Sequence, residues 1–221
     1  MLKKKGYIVI SDFFSDKEIQ HMREVSEEYL FSGNGFLTDG GISKPDWVND
    51  SRLNSIKNII YEKKIEFEIQ KHIKREVHFL GHCDLQVNRT CGWHKDRLNG
   101  EARKFEKTNP WTTIAGEEMQ IYKAFIYLQN HIDNNDCLRV VPQSHLREDL
   151  SHDNVEQIKM KSNDILISDV RITHSAVWSG GYNRFLISLS YGVDNVFSKE
   201  YKDGVRFRQN KQNRIIERNK R

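Results

Sequence analysis

The chain has 221 residues, with 35 Lys+Arg against 31 Asp+Glu, nine His, three Cys and three Pro. That length suits a single domain, and 37% apolar with 30% charged residues excludes a disordered chain or a bundle of membrane spans, which need about 20 apolar residues each. The formal net charge of +4 is unevenly placed: nine basic and three acidic residues follow from Lys199 onward, so the first 198 residues are near neutral at −2.

In chain order, Gly6 to Ile10 reads as a strand, too short for the roughly 7–15-residue apolar core of a secretory signal. Ser15-Asp16-Lys17-Glu18 is a capping box that opens a helix with Ile19, Met22, Val25 and Tyr29 on one face. Gly33 and Gly35 end it, and a polar loop runs to about Asp50. Leu53, Ile56, Ile60, Ile65, Ile69 and Ile73 then recur at helical spacing, predicting one or two amphipathic helices. From Glu76 the period shifts toward two, with extended segments at 77–90, 121–129, 138–141, 165–168, 174–178 and 184–192. Helices followed by many strands predict an antiparallel β sandwich or barrel backed by helices. The expected organisation is a domain over 1–198 and a solvated basic extension over 199–221; phosphate attraction to nucleic acid is its alternative role. Three cysteines without a CxxC spacing suit a reducing cytoplasm, and no membrane partner is expected. Oligomeric state has no signal.

His-x-Asp is the first chemical motif. On an extended strand residues i and i+2 share a face, so one imidazole and one carboxylate can bind one metal. With nine His and fifteen Asp, chance supplies about 0.6 such motifs, yet three occur: His82-Cys83-Asp84, His94-Lys95-Asp96 and His131-Ile132-Asp133. The third falls in a polar turn and the first in mid-strand. The second ends a strand before the polar stretch Arg97–Glu118, where a site mouth is usually built. His82 and Asp84 are the fallback. Downstream, His174 lies on a short segment that turns at Gly180-Gly181 and returns as Arg184 to Tyr191, read as a β-hairpin. An odd-length loop or a bulge in it would put His174 and Arg184 on one face. A cation facing a barrel interior there requires an anionic partner.

These residues carry a resemblance. Gly92 to Asp96, Asp136 to His145, Asp164 to Asp169, then His174 and, ten residues on, Arg184 look like the phytanoyl-CoA dioxygenase family of non-haem iron, 2-oxoglutarate-dependent oxygenases, as does the start from Gly6 to Glu18. The resemblance runs from about Gly6 to Gly192. It implies a double-stranded β-helix (jelly roll) core of mostly β, α+β class with N-terminal helices, and iron(II), 2-oxoglutarate and O2 as cofactor and cosubstrates. It implies His94, Asp96 and His174 as the metal-ligating, catalytic set, the two-His, one-carboxylate facial triad that leaves positions open on the metal. Arg184 would hold the far carboxylate of 2-oxoglutarate as a bidentate fork, joined by Asn88 and Phe125. Asp96 stands where halogenating relatives have a small residue, which favours hydroxylation or a related oxidation with release of succinate and CO2. Ala176 departs from the Ser or Thr often found in relatives, so Asn88 or Ser188 would supply that hydroxyl's hydrogen bond. His145 would support the fold beside the site, and Lys123 reads as solvated.

Trp93, Arg97, Arg103 and Trp111 are the candidate substrate contacts, Trp93 having a packed wall as its alternative role. The basic stretch Arg97–Lys107 favours a small polar or anionic metabolite. Two other readings stand beside this small-molecule hydroxylase: the same chemistry on a nucleic-acid or protein substrate, and a non-catalytic jelly-roll binding module.

Overall fold

The computed structural model describes residues 2–38, 40–132 and 136–219. A helical turn, α1 (Leu2–Lys5), leads into β1 (Tyr7–Ile10) and then α2 (Asp16–Tyr29). The capping box forms as the sequence predicts: the Glu18 amide donates to Ser15 Oγ and the Ser15 amide donates to Glu18 Oε2. The segment expected to be an open loop contains two paired strands, β2 (Phe36–Thr38) and β3 (Gly41–Pro45). Gly41 permits this pairing beside its neighbour, since a Cβ there would stand 2.1 Å from the Val87 carbonyl oxygen. Helices α3 (Asn54–Glu62) and α4 (Ile65–Ile73) bury Ile56, Ile60, Ile65, Ile69 and Ile73, matching their spacing, and Lys64 at φ 51° separates them.

The remaining strands are divided between two antiparallel sheets: β4 (His78–Val87), β5 (Cys91–His94), β6 (Ile121–Tyr127), β7 (Leu138–Val141), β8 (Glu156–Ile158), β9 (Ile165–Asp169), β10 (Thr173–Ala176) and β11 (Phe185–Gly192). The large sheet has the order β1-β9-β6-β11-β4-β3-β2 and the small one β5-β10-β7-β8. This is a jelly roll of α+β class. On the large sheet, Leu85, Val87, Ala124, Ile126, Ile167 and Ile187 pack outward with Ile19, Met22 and the α3–α4 isoleucines in one apolar cluster. The opposite face, with Phe125, Tyr127 and Leu166, packs with Leu138 and Val140 of the small sheet. Strand alternation therefore leaves positions such as 84, 86, 123 and 188 on the inner face.

Three expectations are corrected. The extended segment 77–90 ends at Asn88, held at φ 57°, and the chain then changes sheet, so His82 and His94 stand on different sheets. Segments 174–178 and 184–192 do not form a hairpin. β10 pairs with β5 and β7, and β11 with β4 and β6, while residues 177–184 cross between sheets with Gly180 and Gly181 at φ 91° and 84°. His174 and Arg184 share the interior because both sheets turn a face to it, and hairpin parity has no part in this.

The third correction concerns the basic extension. Residues 196–219 form one helix, α5 (Val196–Asn219), that runs through the expected border at 198. Phe197, Tyr201, Val205, Gln209 and Ile216 are buried along it. Its first half packs with Leu80, Leu98, Ala102, Met119 and Ile121 in a third apolar cluster. Gly204 allows close approach, since a Cβ there would meet Leu98 Cδ1 at 2.4 Å. Glu200 fastens the 107–108 backbone to the helix by accepting from both amides at 3.0 Å. The expected solvated tail is thus a packed wall, because its apolar residues recur at helical spacing beneath the charge. No helix among the described residues is long and apolar enough to cross a membrane.

Deleting residues 199–221 should remove about 5 kcal/mol of burial, taking roughly 1.5–3 kcal/mol for each large buried side chain, and lower Tm by about 10 °C or more. Thermal unfolding of the full-length and truncated chains checks this; a solvated tail would leave Tm unchanged.

Candidate functional site

β5 and β10 are antiparallel neighbours, and their register sets His94 directly opposite His174. The two rings lie with centroids 4.2 Å apart. Each imidazole is oriented by a main-chain carbonyl two residues earlier: His94 Nδ1 lies 2.8 Å from Gly92 O and His174 Nδ1 lies 3.1 Å from Ile172 O. A carbonyl can only accept, so both Nδ1 atoms are donors and both Nε2 atoms turn inward. Asp96 faces them, its Oδ1 3.5 Å from His94 Nε2 and its Oδ2 3.5 Å from His174 Nε2. One ligand atom from each residue lies within 4.8 Å of the other two.

Alternation sends Lys95, between the two ligand candidates, the other way. Its buried Nζ donates to Ser144 O at 2.7 Å and Arg171 O at 2.8 Å, locking the turn after β5. Lys123, expected to be solvated, is buried, with Nζ 3.1 Å from Asp96 Oδ2 outside hydrogen-bond alignment. Burial works against the Asp96 carboxylate, but Lys123, His174 and His94 outweigh it and hold its pKa well below the ordinary range. Burial also disfavours the His94 cation, yet Asp96 and Cys91 prevail and raise it to about 10. Burial pushes His174 down to about 4. The centre is then a carboxylate, a neutral imidazole and an imidazole whose extra proton stands where a cation would. Its donor chemistry fits a divalent metal held by two nitrogens and one oxygen.

The three residues open on a cavity of about 220 Å³ that also contains Phe125, Tyr127, Leu138, Leu186 and Arg184. Arg184 is only 3% exposed. Its Nη1 donates to Arg89 O at 2.9 Å and Val177 O at 3.3 Å, and its guanidinium lies 5.5 Å from the Tyr127 ring centre. Among the described residues no carboxylate pairs with it, and its Nε has no partner. A buried cation so placed calls for an anionic ligand.

The sequence-derived site residues divide sharply. His94, Asp96, His174, Arg184, Phe125 and Arg97 border the cavity, Phe125 packing edge-on to His174 at 6.0 Å. Asn88 lies outside it. Its Oδ1 accepts from the Arg184 amide at 2.8 Å and its Nδ2 donates to Asn183 Oδ1 at 3.0 Å, so it positions Arg184 through the backbone. Trp93 points opposite to His94 and stacks on His152 at 5.3 Å. Arg103 is exposed on a 3₁₀ turn away from the cavity. Trp111 pins its loop by donating from Nε1 to His145 O at 3.0 Å. Arg97 is neutralised by a two-pronged pair with Glu106 at 3.0 and 2.5 Å. The stretch 97–107 is therefore docked, with Arg97 paired to Glu106 and Glu101 paired to Lys211 of α5.

His145 Nε2 donates to Lys3 O at 3.0 Å and is not among the residues that border the cavity. His131 is buried against Tyr127, and its partner Asp133 lies outside the described residues. Sequence reasoning missed Asp136 as a pin: its carboxylate accepts from Ser179 N, Ser179 Oγ and the Tyr182 hydroxyl, holding the crossing that delivers Arg184. It also missed Arg208 of α5, which borders the cavity and has no local motif around it.

No family model matches the chain, and no curated protein does. Solved structures do. HygX from Streptomyces hygroscopicus with nickel and 2-oxoglutarate bound is 15% identical over 87% of this chain and 85% of that one, with a TM-score of 0.65; it has also been solved with hygromycin B. AviO1 from Streptomyces viridochromogenes Tue57 is 16% identical over 87% and 92%, with a TM-score of 0.67. SnoK, a non-haem α-ketoglutarate-dependent carbocyclase from nogalamycin biosynthesis, is 14% identical over 87% and 81%, also at 0.67. These likenesses establish the fold, a jelly roll shared with 2-oxoglutarate-dependent enzymes.

Lys95→Met should cost about 1–3 kcal/mol, because it leaves the Ser144 and Arg171 carbonyls without their donor. Chemical denaturation reads this directly, and an unchanged midpoint would remove Lys95 as the anchor of the His-x-Asp turn.

Proposed function

We propose that the chain is an iron(II)- and 2-oxoglutarate-dependent oxygenase acting on a small molecule. The observation that carries this reading is the union, in one cavity, of a two-His, one-carboxylate cluster and a buried arginine without an anionic partner among the described residues. A zinc hydrolase uses a similar ligand trio, but it has no need of the arginine. His94, Asp96 and His174 would hold the metal, and Arg184 the far carboxylate of 2-oxoglutarate. Iron(II) with this cosubstrate supplies oxidation at an unactivated carbon, with succinate and CO2 as coproducts. Phe125, Tyr127, Leu138 and Leu186 form an apolar wall that excludes water beside Arg184, which strengthens its hold on an anion. Lys123 offsets the charge of Asp96 and occupies the side of the carboxylate away from His94.

The presence of Asp96 favours hydroxylation or a related oxidation over halogenation, and the phytanoyl-CoA dioxygenase-like motifs agree with the cofactor set. Small-molecule ligands in the neighbours, hygromycin B in HygX and nogalamycin RO in the epimerase SnoN, support a small-molecule substrate. The nucleic-acid alternative relied on a free basic tail, whereas residues 199–219 lie in a docked helix with Arg208 facing the cavity. A pure binding module has no need of the triad and the unpaired arginine together.

Anaerobic addition of iron(II) and 2-oxoglutarate should give a visible metal-to-ligand charge-transfer band. His94→Ala should abolish it, and Arg184→Ala should weaken 2-oxoglutarate affinity by ~100-fold, the scale of a lost charge-assisted pair. A silent spectrum from the intact protein would end this reading. The raised pKa of His94, about 10, sets a second expectation. Below that value the metal must displace one proton, whereas His174 and Asp96 have none to lose at neutral pH. Metal affinity should therefore rise about tenfold per pH unit between 7 and 9, as nickel(II) titration would measure.

A further inference from the structure

The large-sheet wall of the cavity carries a polar cluster that the metal set and Arg184 leave unused. His82, Asp84 and Gln86 reach it from β4, Ser188 stands opposite Asp84 on β11, and Arg208 enters from α5. His82 and Asp84 gather no third metal-ligating group among the described residues. A hydrogen-bonded chain orients them instead. His82 Nε2 lies 3.3 Å from Asp84 Oδ2, His82 Nδ1 lies 3.0 Å from Ser190 Oγ, and that hydroxyl lies 3.3 Å from the Tyr201 hydroxyl. Gln86 Nε2 donates to Asp84 Oδ2 at 3.4 Å, and Arg208 Nη2 stands 3.6 Å from the same oxygen.

One carboxylate oxygen is thus fully engaged and the other is not. Among the described residues, Asp84 Oδ1, Ser188 Oγ and the Arg208 Nε and Nη2 atoms are buried without a hydrogen-bond partner, Asp84 being 4% and Ser188 1% exposed. Unpaired buried polar atoms are costly, and four of them on one wall point to a ligand that completes them. The wall offers an acceptor, donors and a hydroxyl that can do either. The charges of Asp84 and Arg208 offset each other, so a charged ligand would meet repulsion from one of them. A single carboxamide could satisfy two of the three side chains, whereas a ring bearing several hydroxyls reaches all three. Leu98 and Val205 beside the cluster supply apolar surface for the C–H face of such a ring.

We propose that Asp84, Ser188 and Arg208 form the substrate subsite, and that it takes the adjacent hydroxyl groups of an uncharged polyhydroxylated ring of sugar or cyclitol type. One hydroxyl donates to Asp84 Oδ1 while its neighbour accepts from Arg208. The inference rests on the oxygenase reading in placing substrate beside the metal centre, but its test does not use turnover.

The test is saturation-transfer NMR on the full-length, metal-free protein with myo-inositol and methyl β-glucoside as probes, against glucose 6-phosphate, glucosamine and nicotinamide. Transfer to the neutral polyols is expected, with at least a tenfold loss of signal in Asp84→Asn and Ser188→Ala and a comparable loss in Arg208→Gln. No transfer to either polyol, stronger transfer to a charged probe or to nicotinamide, or polyol transfer indifferent to these substitutions would each overturn the proposal. Thermal melts identify any variant that fails to fold, and Ser188→Ala, which removes one unpaired hydroxyl, keeps the test decisive if Asp84→Asn does. The anaerobic charge-transfer band is read in the same proteins. Lost polyol transfer with the band intact faults the subsite alone; a missing band in the intact protein faults the oxygenase reading and leaves the polyol result standing.

Discussion

The register between β5 and β10 is the constraint on which the rest of the site depends. It places two imidazoles side by side, tilted 51° to each other, each with its Nδ1 committed to a main-chain carbonyl, and so turns both Nε2 atoms toward one point. Asp96 adds a carboxylate to the same point. Three acceptor groups packed together are unstable without positive charge between them, and the surroundings are built to that need. Lys123 and the proton on His94 supply charge in this state, and a divalent cation would supply it more compactly.

Charge compensation then explains much of the interior. Arg97 is matched by Glu106, Arg171 by Asp169, Lys123 by Asp96, and Arg208 approaches Asp84. Arg184 departs from this rule: among the described residues it meets carbonyl oxygens and the Tyr127 side chain, and no carboxylate. The protein also spends unusual effort on fixing it, with Asn88 holding its amide and Asp136 holding the crossing before it. Rigid support for an unmatched cation is what recognition of a small dianion requires. The helix α5 closes the other end, where it joins apolar packing to a cation that reaches the cavity.

Much of the site was legible because its residues stand at fixed, short spacings. His-x-Asp places two candidate ligands on one side of an extended segment whatever the fold, and the downstream His174 and Arg184 arrive ten residues apart, on β10 and just before β11. The capping box and the isoleucine spacing of α3 and α4 were legible for the same reason, since helical period is local. The placement of the candidate substrate contacts was not. Trp93 was next to a ligand in sequence, but alternation turned it outward onto His152. The charges of the 97–107 stretch could be counted, but the pairing of Arg97 with Glu106 and of Glu101 with Lys211 of α5 could not. The sheet-switching turns at 88–90 and 177–184 resembled ordinary strand continuation and a hairpin, because the choice of sheet is made by distant partners.

The sequence by itself indicated a β sandwich or barrel backed by helices and, through its resemblance, three metal-ligating candidates and an arginine expected to face the same interior, because periodicity and motif spacing are properties of neighbouring residues. Only the tertiary structure decided that the basic C-terminal segment is a wall of the cavity, that Lys123 is buried on Asp96, and that Asp84, Ser188 and Arg208 converge. Those three stand on two strands and a helix more than 100 residues apart at the extremes, and which residues meet across that separation is settled by sheet order and helix docking.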